Sequence, residues 1–421
     1  MNHISRKYSN YFLPVWKIVF LGTVAILSSL CMACDDDDKF EEPDPEPGIE
    51  EKNTQTLLMY MPWSNDLTSY FKINIADMED AIAEGILKNE RVLVFFATTA
   101  KQASLFELVY NAADGSCERK TLKEYTDHPC TTAEGIASIL NDVKTFAPAT
   151  TYSMTIGGHG LGWIPVQETK ALYPQASTST SSAPIYHWDA KGTHLTRYFG
   201  GKNSAYQTNI STLAQAITNV GITMEYILFD DCYMSNVEVA YDLRHVTRHL
   251  IASTSEVMAY GMPYKDMARH LLGNISYEGI SQTFYDFYMN YSMPCGTIAT
   301  TVTAELDSLA TLMQEINANH TWDTKKNYSL QYLDGYSPHI FYDLSDYTTA
   351  LCTDTLLLTR FHEQLERVAP AKSHAHTPTF YSMYTGRQTT IKTFCGLTIS
   401  DPSTHNLASP KTETNWYKAT H

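Results

Sequence analysis

Two apolar runs of this chain end in groups that can do covalent chemistry. Thr151-Tyr152-Ser153-Met154-Thr155-Ile156 opens into Gly157-Gly158-His159-Gly160-Leu161-Gly162-Trp163. Met224-Glu225-Tyr226-Ile227-Leu228-Phe229 opens into Asp230-Asp231-Cys232-Tyr233-Met234-Ser235-Asn236. Each run has the length and composition of a buried strand. In an open α/β sheet, the loops beyond the carboxyl ends of parallel strands are where reactive groups collect. A histidine and a cysteine delivered to one such rim make a proton carrier and a nucleophile, although 73 positions separate them. The expectation is a cysteine endopeptidase with His159 and Cys232 as its catalytic residues.

A thiolate is the nucleophile, and an ordinary cysteine at neutral pH is only a few per cent ionised. The helix expected after Cys232 brings amide N–H groups and a positive dipole end toward the sulfur. His159 can share the thiol proton and later deliver it to the leaving amine. The carboxylates of Asp230 and Asp231 oppose ionisation of the thiol if they face it. Side chains alternate along a strand, so Asp230 and Cys232 share a side if the strand persists. An acid there suits a pocket (S1) for a cationic substrate side chain. Gly160 leaves its amide unshielded, and with the amide of Cys232 it forms a candidate oxyanion hole. Cys117, Cys130, Cys295, Cys352 and Cys395 show no metal-type spacing, so no metal site is expected, and burial is their default role. Cys117 and Cys130 are the pair that an exported protein could bridge.

The elements that must position this chemistry read as alternating strands and helices. Thr56–Met61 and Arg91–Phe96 are strand runs, with an apolar helical stripe between them at Leu67, Phe71, Ile75, Met78 and Ile82. Leu105–Tyr110 is another strand. Thr131 and Glu134 are spaced as a capping box for a helix carrying Ile136, Ile139, Leu140 and Val143. Residues 165–208 read as a long exposed loop, and Ile210–Val220 as a helix closed by Gly221. A helix through Val237, Ala240, Tyr241 and Val246 follows the cysteine, then a strand at His249–Ser253. This order predicts an α/β layered fold with a mainly parallel central sheet flanked by helices. Further on, strands are expected at Thr297–Ala304, Thr379–Tyr384 and Lys392–Ile399, and helices at Leu306–Ile316 and Leu356–Val368. The catalytic core is assigned to residues 54–303, and a smaller C-terminal subdomain to 304–421.

The amino terminus has its own logic. Basic residues precede the apolar segment Ile18–Leu30, which ends in small residues and cysteine, as in a lipoprotein signal peptide over residues 1–33. Of two candidates for lipidation, Cys31 and Cys34, the expected site is Cys34, because the small Ala33 precedes it while the bulky Leu30 precedes Cys31. Residues 34–53 form an acidic, proline-rich tether, and its Asp35–Asp38 run resembles a surface-export signal of bacterial lipoproteins. The expected location is therefore the outer membrane, at the cell surface, with the domain attached through its N-terminal lipid. The net charge of −16 argues against nucleic acid as a partner. The 43% of apolar residues against 18% charged supports a sizeable folded core.

The His-Gly segment, Asp230-Asp231-Cys232-Tyr233-Met234 and the order His-then-Cys resemble the clostripain family (peptidase family C11) of cysteine peptidases. Supporting matches lie at Tyr60–Leu67, Ser253–Glu256, Gly261–Tyr264, Asp343–Asp346, Gly396–Ile399 and Asn415–Tyr417. The resemblance implies a caspase-like fold, a Cys232/His159 dyad, Asp230 in the S1 pocket, and protein or peptide substrates cut after Arg or Lys. It also implies calcium as a possible cofactor, and self-cleavage in the long loop, where Lys170, Lys191 and Lys202 are candidate sites. Asp231, where the family usually has a small residue, and Met262, where it often has an aromatic, depart from its pattern. Two other readings fit the residues: an inactive caspase-like surface lipoprotein that binds a protein or glycan, and a related peptidase preferring Asn or Asp before the cut. A P-loop, a zinc peptidase at His362 and a serine-hydrolase elbow lack their required partners.

Overall fold

Alternate residues of the first strand, β1 (Gln55–Met61), feed two different cores. Leu57, Met59 and Met61 pack on one side, and Leu58 and Tyr60 on the other. Such a strand belongs inside a sheet covered on both faces. The same holds for β2 (Glu90–Ala97), β6 (Met224–Asp230) and β7 (Thr247–Ala252). With β5 (Thr151–Gly157) they form a parallel block in the order β7-β6-β5-β1-β2. Antiparallel strands extend both edges: β3 (Gln102–Asn111) and β4 (Ser116–Thr126) beyond β2, and β8 (Thr297–Val302) beyond β7. After the two-residue β9 (Tyr342–Asp343), β10 (His374–His376) completes the nine-stranded sheet against β8. β11 (Thr379–Ser382) pairs with β12 (Arg387–Thr390), and β13 (Thr398–Ile399) with β9. This computed structural model describes residues 53–64, 66–166, 200–201 and 204–421. The signal peptide, the tether with Cys34, and Lys170, Lys191 and Lys202 lie outside the described residues.

Helices cover both faces. α1 (Thr68–Ala83) packs on the face of Leu57 and Met59. α2 (Ala133–Phe146), α3 (Ile210–Val220) and α4 (Val237–Leu243) cover the opposite face. α5 (Tyr264–Leu271) and α6 (Tyr277–Met289) join α1, while α7 (Leu306–Asn319), α8 (Leu344–Leu351), α9 (Thr355–Val368) and α10 (Asn415–Thr420) join α2. Residues on both sides of 304 share this architecture, since Phe361 and Trp416 lie in the same apolar cluster as Met154 and Phe229.

Local details depart from the sequence expectations for identifiable reasons. The cap of α2 is Thr132, whose hydroxyl accepts from Gly135 N–H at 3.1 Å, so the Thr131/Glu134 box does not form. The helix after Cys232 stops at Leu243. Val246 instead accepts from Met224 N–H and leads into β7. Lys392–Ile399 is strand only at Thr398–Ile399. Its earlier amides are satisfied by side chains, Lys392 by Gln331 and Cys395 by Asp343. β4, rich in Glu, Arg and Lys, has no counterpart among the expected strands. A charged, half-exposed strand is what protects a sheet edge from further pairing.

Candidate active site

β5 and β6 run side by side with Gly157 opposite Asp230, and both strands end at that pair. His159 and Cys232 each stand two residues beyond it. The register therefore delivers both to the same rim of the sheet, just past the ends of neighbouring strands.

The His159 side chain is only 2% exposed, and its Nε2 lies 2.7 Å from Oδ1 of Asp66. A carboxylate can only accept here, so Nε2 carries the proton. In the neutral ring Nδ1 is then the basic nitrogen. Asp66 follows β1, the strand that pairs with the other side of β5. Sequence reasoning does not single out Asp66. The available signal is an acid just past the end of a buried strand, at the rim where the histidine emerges. The backbone N–H of His159 is donated to Gly200 O at 3.0 Å.

Cys232 is buried, and its Sγ accepts from Val257 N–H at 3.2 Å. That donor comes from the loop after β7. The helix expected to aim its amides at the sulfur begins five residues later, and its Val239 N–H is capped by Asn236. Between thiol and helix the chain turns sharply: Tyr233 adopts φ +58°, and Asn236 Nδ2 donates to its carbonyl at 2.6 Å. Tyr233 N–H goes to Ser255 O, and its hydroxyl donates to Glu256 at 2.7 Å. Burial first, and Glu256 second, push this phenol well above its usual range, so it stays a donor. The loops after β6 and β7 are thus joined on both sides of the cysteine.

Asp230 is fully buried and accepts from Met262 N–H at 3.1 Å. β6 ends at Asp230, so strand alternation does not govern where Cys232 points. Asp231, also buried, packs against the His159 loop. A Cβ on Gly158 would lie 3.2 Å from its Oδ1, and one on Gly160 would lie 2.9 Å from its Cβ. The same Cβ on Gly160 would sit 2.3 Å from Cys232 O. Position 160 therefore needs glycine for close approach of the two loops, a reason separate from the bareness of its amide.

Of the remaining cysteines, Cys295 and Cys352 are buried as expected, while Cys117, Cys130 and Cys395 are half-buried. Cys117 lies near the start of β4 and Cys130 beyond its end, roughly 30 Å of strand apart, so they cannot bridge. Burial pushes the Cys130 thiol up to about 11 and that of Cys295 up to about 12. Among the described residues, no group of three or more His, Cys, Asp or Glu is placed to hold a metal ion.

The clostripain family model matches residues 188–381, a span that includes Cys232. A solved secreted C11 cysteine protease from Bacteroides thetaiotaomicron, "iotapain", is 53% identical, with 88% of this chain and 99% of that chain covered and a TM-score of 0.79. A clostripain from the same organism, in complex with the peptide inhibitor BTN-VLTK-AOMK, is 58% identical. That match covers 53% of this chain and 99% of the other, with a TM-score of 0.52. An inactive zymogen C11 protease from Parabacteroides distasonis shares the fold at 24% identity, with a TM-score of 0.70 over 87% of this chain and 98% of that one. No curated protein matches the chain.

Proposed function

The chain belongs to the clostripain family and is a cysteine peptidase; on that premise we propose that it is an exported endopeptidase that cuts after lysine or arginine, with Cys232 as nucleophile, His159 as acid/base and Asp230 as the S1 acid. The observation that carries this reading is that His159 and Cys232 leave the sheet at one rim, each two residues past the Gly157–Asp230 pair, with the imidazole held by Asp66.

The steps follow from these contacts. The thiol, whose sulfur accepts from Val257 N–H and donates to Val257 O, passes its proton to Nδ1 of His159, and Val257 N–H then stabilises the thiolate. The sulfur attacks the substrate carbonyl, and the amides of Gly160 and Cys232 receive the oxyanion. His159 gives its Nδ1 proton to the leaving amine, while Asp66 stabilises the imidazolium formed before that transfer. Water, deprotonated by the same nitrogen, then hydrolyses the thioester. Asp230, shut off from solvent, offers a carboxylate to an ammonium or guanidinium that desolvates on entry. The lysine that precedes the AOMK group of the relative's inhibitor is such a group.

Location and processing complete the proposal. The signal segment, and a relative described as secreted, support export. Lipid on Cys34 holds the domain at the outer membrane, and palmitate labelling lost in Cys34→Ser tests this. Cleavage at Lys170, Lys191 or Lys202 accompanies activation. Intact-mass analysis that finds the same fragments in wild type and Cys232→Ala rules it out.

The decisive experiment compares fluorogenic peptides ending in Lys, Arg, Asn or Asp on wild type and Cys232→Ala. Activity on Lys or Arg, absent from the variant, is expected. Activity confined to Asn or Asp removes the role given to Asp230. Silence on all four, with calcium supplied and the loop cut, removes the peptidase itself.

A further inference from the structure

The rim that carries His159 continues past β5 to a cavity at the ends of β1, β2 and β4. Pro62, Trp63, Ala97, Ala103, Tyr125 and Tyr206 are among its lining residues, and its volume is about 180 Å³. Pockets for whole small ligands run to roughly 300–1,000 Å³, so this one is the size of a side chain. Two of its lining residues, Trp63 and Tyr206, adjoin the histidine's supports. Trp63 is three residues before Asp66, which holds the ring. Tyr206 O accepts from Gly201 N–H at 2.9 Å, next to the Gly200 carbonyl that accepts from His159 N–H. Gly200, at φ +89°, has no room for a Cβ, which would meet Tyr206 O at 2.4 Å.

We propose that this cavity is a subsite for one apolar side chain on the leaving-group side of the substrate. The inference rests on the peptidase reading above and extends it. Across the sheet order β7-β6-β5-β1-β2, Asp230 accepts from the loop after β7, the thiol follows β6, the imidazole follows β5, and the cavity follows β1 and β2. The acyl part of the substrate stays on the sulfur with its basic side chain toward β7. The amine departs toward the imidazole that protonates it. The peptide beyond the cut therefore runs toward β1 and β2, where the cavity waits. Three of its polar tips are engaged elsewhere: Tyr125 donates to Asp142 at 2.7 Å, His128 Nε2 is 2.8 Å from Gly135 O, and Lys101 pairs with Asp127 at 3.6 Å. Thr99, Gln102 and Thr131 also line it, but most of what it offers an occupant is ring and aliphatic surface.

The test uses the full chain and internally quenched peptides with lysine before the cut and Leu, Phe, Gly or Asp at each of the three positions after it. At one position Leu or Phe should exceed Gly by about tenfold or more in kcat/KM, the scale of burying one such side chain. Ala103→Leu fills the cavity from β3. Ala100→Trp crowds it from an exposed turn, a position that does not strain the core. Either should bring the ratio near one, and a ratio taken within one preparation is independent of how much enzyme is active. A wild-type ratio within about twofold at all three positions overturns the proposal, as does a preference that neither variant moves, or a preference for Asp. If the peptides are cut only after a residue other than lysine or arginine, the S1 reading fails by itself. The same ratio, measured in the peptides that are cut, then still decides the cavity.

Discussion

Asp66→Ala removes the group that fixes the imidazole, and its effect can be sized from the structure. The Asp66–His159 contact is 2.7 Å, with the ring buried and the carboxylate 30% exposed. A hydrogen bond to a charged partner contributes about 1.5–3 kcal/mol, and the solvent at Asp66 places this one toward the lower end. About 1.5–2 kcal/mol of lost transition-state stabilisation corresponds to a roughly ten- to thirtyfold fall in kcat. Because Asp66 acts on the reaction through its bond to His159, KM for a lysine peptide should stay within about twofold. The assay is initial rates against substrate concentration, with active sites counted by a covalent thiol-directed inhibitor. A kcat within twofold of wild type refutes the reasoning, because packing alone would then orient the ring. A raised KM at constant kcat refutes it differently, making Asp66 a substrate contact.

Three further outcomes are expected. Gly160→Ala must push apart the histidine and cysteine loops, whose backbones already touch, so kcat/KM should drop about a hundredfold with the far-ultraviolet spectrum unchanged; near-normal activity means the loops move independently. Asp230→Asn keeps an acceptor for Met262 N–H but removes the charge. It should cut kcat/KM about thirtyfold or more on lysine peptides, and less than about threefold on a neutral analogue; equal losses on both remove the S1 role. The third concerns pH. Burial, then Asp401, raises Glu238 to about 8, and burial raises Asp401 to about 7. The folded state thus holds protons that the unfolded chain releases near pH 4, so stability is full below that point and falls as pH rises toward 8. Lys411, the nearby cation, reduces both shifts without reversing them. Glu238→Gln should flatten the profile and gain more in Tm at pH 8 than at pH 5. Parallel profiles refute this.

The two strands that lead to His159 and Cys232 are legible because each is a short, mostly apolar or β-branched run closed by glycine or acid, the signature of a buried strand. The helix bearing Ile136 and Leu140 is legible from its stripe, but the capping pattern puts its start one residue early. Two adjacent threonines look alike until the chain direction at Pro129 is known. The edge strand β4 is not legible, since its charges exist to face water. The supports of the site are hidden for a different reason. Asp66 lies 93 positions from His159 and Val257 25 from Cys232. Such pairings are set by which strands lie side by side, and no local pattern records that.

The segment 396–400 closes over the nucleophile's loop. Ser235 Oγ donates to Gly396 O, Thr398 N–H to Ser235 O, Ser400 N–H to Glu238, and Trp163 of the histidine loop to Ser400 Oγ. These bonds span more than 160 positions, and contacts of that separation form late because the intervening chain must close first. During synthesis and export, the thiol and imidazole therefore exist long before their scaffold is complete. The cysteine and histidine loops therefore stay without this brace until segment 396–400 folds onto them, a delay written into the order of the chain.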